Sequence, residues 1–228
     1  MPTPKRHKVW SSAFGRLRLI LIHVCSALSL ATARPEATRG VASLAQDARL
    51  FVAFAAHRPN FGHLRFLISA SCFEHRHYIG LSPERMDNFL RDLLAVFATH
   101  AGQTFAWCIL PNHYHALVET PDVKALLREL GLLHGRTAHT WNGEEQARGR
   151  KVFFRAVERA MRSDRHYWAT LNYVHHNAVR HGYVARWTDW PWSSATQYLA
   201  QTGAEEAKRI WQEYPLRDYG KDWDEPGM

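Results

Sequence analysis

Residues 105–119 constrain the fold more than any other stretch. Two runs of apolar, β-forming residues, FAWCIL and HYHALVE, stand two residues apart across Pro111-Asn112. A Pro-Asn break between such runs reads as a turn joining paired strands. In the second strand, alternation puts His113 and His115 on one face with Cβ atoms roughly 7 Å apart, close enough for one metal ion to bridge, and Tyr114 on the other face. The spacing alone carries little weight. With 15 His in the chain, random placement yields about one His-x-His pair, and there are two, the second being His75-x-His77. The second pair reads as a surface pair near a strand end.

The elements around the hairpin follow from periodicity. Residues 63–73 (HLRFLISASCF) read as a strand buried on at least one face. Ser82 caps a helix that opens with Pro83-Glu84 and carries Met86, Phe89, Leu90, Leu93, Leu94 and Phe97 at helical spacing; Gly102 stops it. After the hairpin, Asp122 caps a second helix from Val123 into Leu133, with Leu126, Leu127, Leu130 and Leu133 as its stripe. A polar connection, residues 134–149, leads to Val152-Phe153-Phe154, a short strand candidate. The order β-α-β-β-α-β is that of a ferredoxin-like α+β fold, with further helices towards the C-terminus. Ser163 and Asp164 begin a helix across residues 167–176 striped by Trp168, Leu171 and Val174. The aromatic cluster beyond it (Trp187, Trp190, Trp192, Tyr198, Trp211, Tyr214, Tyr219, Trp223) is expected to pack in the core.

At 228 residues and 46% hydrophobic the chain can bury a core, and length suggests one domain with appendages. We expect the domain over residues 61–220, a tail over 221–228, and an N-terminal appendage over 1–60. The appendage has basic residues ahead of an apolar stretch, 19–30, that resembles a signal peptide. Everything downstream points to intracellular chemistry, so a cytoplasmic protein with an upstream start is the reading preferred here. Cys25, Cys72 and Cys108 lack zinc-knuckle spacing and read as small apolar residues of a reducing compartment. The net charge of +8 and pI near 9.7 favour an anionic partner, nucleic acid first. Nine Lys or Arg and two acids fall between Arg148 and Arg186, which is +7 of that charge. Arg148, Arg150, Lys151, Arg155, Arg159, Arg162, Arg165 and Arg180 form the expected DNA-binding stripe.

Tyr173 and Asn177 are four residues apart on the late helix and so share a face. Packed near the histidine strand, Asn177 would offer a carboxamide oxygen as third ligand beside His113 and His115, and Tyr173 would point at whatever the metal polarises. Two imidazoles and one oxygen leave positions open, which suits Mg²⁺ or Mn²⁺ holding a phosphate better than closed structural zinc. A phenol is a poor nucleophile at neutral pH, but a nearby divalent ion favours its phenolate.

Three segments, LPNHYHALV, TLNYVHHNAVRHGYV and DWPWSS, together resemble the REP-associated tyrosine transposases, a branch of the single-tyrosine HUH transposases, over about residues 62–220. The resemblance implies a ferredoxin-like core and cleavage of hairpin-forming single-stranded DNA through a 5′-phosphotyrosine intermediate with a free 3′-OH. It assigns the metal pair to His113 and His115, the nucleophile to Tyr173, and the polar residue four positions on to Asn177. The family's Asn-Pro-Val stands here as Asn177-Ala178-Val179, and alanine permits another helical turn. The resulting expectation is a metal-dependent transposase and endonuclease, monomeric or homodimeric and without a membrane partner. Two rivals remain: a domesticated binder of DNA hairpins that does not cut, and a zinc hydrolase using His113, His115 and a distant histidine.

Overall fold

The computed structural model describes residues 64–220; the N-terminal appendage, Cys25, Trp223 and the tail lie outside them. Strand β1 (Arg65–Ser71) is followed by two 3-10 turns and by helix α1 (Pro83–His100). The Ser82 hydroxyl accepts from the Arg85 amide at 3.1 Å, the expected cap, and Met86, Phe89, Leu93 and Phe97 are buried. Strands β2 (Gln103–Leu110) and β3 (His113–Glu119) form the hairpin. Helix α2 (Val123–Glu144), β4 (Val157–Ala160), α3 (Asp164–Arg180), α4 (Ala195–Thr202) and α5 (Ala204–Glu213) complete the order.

The four strands make one antiparallel sheet in the order β2-β3-β1-β4, the arrangement expected of a ferredoxin-like α+β fold. Alternation along β3 sorts its two faces. Tyr114, wholly buried, meets Phe89 of α1 at 5.8 Å between ring centroids and donates or accepts a 3.1 Å hydrogen bond with His134 of α2. On the opposite face, His113 and His115 meet α3. Helices α1 and α2 therefore cover one face of the sheet, and α3 covers the other.

The Trp-rich segment has a structural use. Ile109 N donates to Trp192 O, Ser194 N donates to Trp107 O, and the Trp190 indole donates to Ile109 O, all within 3.0 Å. This stretch thus pairs along the free edge of β2, which would otherwise expose unpaired backbone groups. The Trp192 indole reaches Asp87 of α1. Trp190 and Trp192 are core residues, as expected.

Two elements differ from the sequence reading. Helix α2 does not stop at Leu133 but runs a further three turns, because the polar-looking stretch buries His134 and Trp141 against Phe89 and Phe153. Arg85 also pairs with Glu144 and Glu145 across that extension. The fourth strand is Val157–Ala160 rather than residues 152–154. Phe153 makes only an isolated bridge to Cys72, and the ladder with β1 begins at Ser69↔Val157.

Candidate active site

The hairpin turn and β1 hold the two imidazoles from behind. In register, Ser69 lies opposite His115 and Ser71 opposite His113. Ser69 Oγ is 2.7 Å from His115 Nδ1, and Asn112 Oδ1 is 2.9 Å from His113 Nδ1. Both rings are nearly buried, with centroids 5.1 Å apart. With Nδ1–H of each ring donating to those oxygens, both Nε2 atoms face α3.

Helix α3 supplies the partners on one face. Ser163 Oγ caps it by accepting from His166 N, and the helix continues one turn beyond Asn177 to Arg180, as Ala178 allows. Tyr173 Oη is 3.2 Å from His115 Nε2, and Asn177 Oδ1 is 3.1 Å from His113 Nε2. Tyr173 and Asn177 are both fully buried. The extra turn also brings His181 to the helix end, its ring 4.9 Å from that of His113. Tyr173 is further enclosed by the Arg180 guanidinium, 5.4 Å from its ring centre, and by Tyr219 and Gly220. Arg180 donates to the Tyr219 and Gly220 carbonyls, and Tyr219 hydrogen bonds with Thr170 through its hydroxyl.

The donor set fits a divalent ion. His113 has carboxamide oxygens at both ring nitrogens, Asn112 on one edge and Asn177 on the other, yet a neutral imidazole has one N–H to give. A second ring proton or a rotated Asn177 amide would satisfy the contact, and His113 Nε2 and Asn177 Oδ1 are the donors that would hold a divalent ion there. Among the described residues no three His, Cys, Asp or Glu side chains gather as a metal site, so a third protein ligand beside the imidazole pair would be the carboxamide of Asn177. In the Nδ1–H tautomer, the His115 lone pair that would bind metal accepts the Tyr173 hydroxyl proton instead.

The neighbouring tyrosines and histidines have other surroundings. Tyr167 is buried edge-on against Phe105, and burial pushes its phenol above the usual range; it does not reach the imidazoles. Burial also raises Tyr114, which lies on the far side of the sheet. Burial holds His175 down at about 3 and His176 at about 4, so both are neutral packing groups, His175 bonded to Ser194 and His176 stacked on Trp211. Of the expected DNA-binding cations, Arg148, Lys151, Arg155, Arg159, Arg162, Arg165 and Arg180 are exposed. Two guanidiniums are engaged within the fold: that of Arg150 by Asn142 and Glu145 and over Tyr78, and that of Arg180 by the Tyr219 and Gly220 carbonyls. Lys151 Nζ sits 4.6 Å from the Phe73 ring centre and 4.8 Å from that of Phe154.

Sequence reasoning missed Ser69, whose place opposite His115 depends on strand register and leaves no local signal. Asn112 was part of the quoted motif but had no role assigned. His75, read as a surface residue, borders the cleft next to the imidazole pair.

No family model matches the chain. It is 29% identical over 102 residues to a Haemophilus influenzae protein whose name makes it a candidate REP-associated tyrosine transposase; the match covers 40% of this chain and 58% of that relative's length. Its fold resembles that of a REP-associated tyrosine transposase solved bound to a REP hairpin, at a TM-score of 0.50 and 21% identity, covering 65% of this chain and 87% of the other. The sequence relative supports the resemblance to the REP-associated tyrosine transposases carried by the three motifs, and the structural neighbour supports the fold. Among the described residues no helix is long and apolar enough to cross a membrane.

Proposed function

We propose that this relative of the REP-associated tyrosine transposases is a metal-dependent single-tyrosine DNA strand transferase that cuts and rejoins hairpin-forming single-stranded DNA. The observation that carries the reading is the meeting of α3 with β3: Tyr173 Oη stands 3.2 Å from His115 Nε2, one helical turn from Asn177 at His113. One buried surface thus gathers a nucleophile, two imidazoles and an oxygen donor, next to a basic cleft.

In this mechanism His113, His115 and Asn177 would hold Mg²⁺ or Mn²⁺, which when bound would stabilise charge growing on the phosphate under attack. Ser69 and Asn112 fix the Nδ1 edges, so that the Nε2 atoms are presented without reorganisation. The Tyr173 oxygen forms a bond to phosphorus, the P–O3′ bond breaks, and its electron pair leaves on O3′. The products are a 5′-phosphotyrosine and a 3′-OH; attack by a 3′-OH on the phosphotyrosine reverses the step and rejoins the strand. The exposed cations of residues 148–180 hold the backbone, and the partner is hairpin DNA, the ligand named for the structural neighbour.

The test is incubation with labelled hairpin oligonucleotides, taken from palindromes flanking the reading frame, in Mn²⁺, followed by denaturing electrophoresis. A covalent band that chelator or His113→Ala abolishes is expected. A native complex with no band surviving denaturation would make the protein a hairpin-binding module instead.

A further inference from the structure

Alongside the imidazole pair lies the basic cleft, of about 760 Å³. Ser69 and Ser71 of β1, Lys151, Arg155 and Arg159 wall it, and His75 borders it. His113 and His115 also line it, whereas no residue of α3 does. Tyr173 therefore reaches the imidazoles from the α3 side, and the cleft opens on them from the β1 side.

His75 is held there against backbone preference. Glu74 (φ 55°) and His75 (φ 51°) are consecutive non-glycine residues in the left-handed region, a costly arrangement that concentrates at functional sites. The fold gives the imidazole no polar work. Its Nδ1 is shielded and has no hydrogen-bond partner, although buried polar atoms are normally satisfied. Nε2 has no partner among the described residues either, and it is not among the buried atoms. It is the nitrogen of this ring that a ligand in the cleft can reach.

Phosphoryl transfer places the attacking and leaving oxygens roughly in line across phosphorus. With Tyr173 attacking from α3 a phosphate held at the imidazole pair, the leaving O3′ points into the cleft. We propose that this cleft receives the DNA strand that departs with the 3′-OH, and that His75 protonates its O3′. This rests on the strand-transfer reading above. As the Tyr173 O–P bond forms and the P–O3′ bond breaks, the electron pair on O3′ takes the proton from Nε2 of the His75 imidazolium. The neutral ring can later accept the proton of an attacking 3′-OH during rejoining. Lys151, Arg155 and Arg159 neutralise the departing strand's phosphates.

The test compares ordinary hairpin oligonucleotides with ones carrying sulfur in place of O3′ at the linkage the wild-type protein cuts, since a thiolate leaves without protonation. Single-turnover adduct formation is followed in Mn²⁺. His75→Asn, a residue that tolerates the left-handed backbone, should slow the oxygen linkage at least about 100-fold and the sulfur linkage by less than about 3-fold. Free imidazole added to His75→Gly should restore the oxygen linkage. Equal slowing of both linkages, no slowing, or no imidazole rescue in a variant that still binds hairpin would overturn the role of His75. Absence of any adduct with the wild-type protein on either linkage would instead overturn the strand-transfer reading, and this inference with it.

Discussion

Acidification should weaken this fold through a histidine on the face of the sheet opposite the candidate site. His134 of α2 is buried, stacks on Phe153 at 4.4 Å between centroids, and shares a hydrogen bond with Tyr114 Oη. Burial holds its pKa at about 4 instead of 6.5. The folded state thus keeps the ring neutral while the unfolded chain protonates it. Unfolding takes up a proton between those two values, and stability falls as pH drops from about 6.5 towards 4. Linkage over that shift gives a loss on the order of 2 kcal/mol at pH 5 relative to pH 7 from this residue alone. His175, held at about 3, acts in the same direction. Urea unfolding in chelator at pH 7 and pH 5 measures the total, and His134→Phe isolates this share. The variant loses a hydrogen bond, about 1 kcal/mol at both pH values, but its stability should fall less than that of the wild type between them by roughly 2 kcal/mol. An identical pH dependence in the two proteins would refute the assignment of a neutral buried ring.

Ser69→Ala removes the partner of His115 Nδ1 and should weaken Mn²⁺ binding, read by paramagnetic resonance, about tenfold to a hundredfold; unchanged affinity would show that Ser69 does not orient the ring. Ala178→Pro introduces the proline of the resembled transposases but deletes an amide inside a helix that here continues to Arg180. It should cost about 3 kcal/mol in urea unfolding, and a cost near zero would mean the last turn is not held. Arg155→Ala should weaken hairpin binding without changing sequence preference and lower the log–log salt slope by about 1; an unchanged slope would remove Arg155 from the phosphate contacts.

How much of this was legible in the sequence depended on the signal each element carries. The hairpin, α1 and the face of α3 announced themselves through alternation or 3.6-residue spacing, and Tyr173 and Asn177 met the histidines because a helix face is fixed by spacing alone. Strand β4 was misplaced for the opposite reason. Val152-Phe153-Phe154 has the apolar character of a strand, whereas Val157-Glu158-Arg159-Ala160 lies on the sheet edge, mostly exposed, and is specified by its ladder to β1. The second half of α2 was hidden by Gly135, Gly143 and polar neighbours. It is stabilised by long-range burial of His134 and Trp141 and by Arg85 from α1. Ser69 and His75 were illegible because register and a strained turn, not local pattern, bring them to the site.

The most direct measurement on the central claim is mass spectrometry of the protein after reaction with hairpin DNA and nuclease trimming. Trypsin releases residues 166–180 as one peptide, which contains Tyr167 and Tyr173. A 5′-phosphate-linked nucleotide is expected on Tyr173, absent in Tyr173→Phe protein that still binds the hairpin. A nucleotide on Tyr167 or elsewhere, or an adduct that survives Tyr173→Phe, would contradict it.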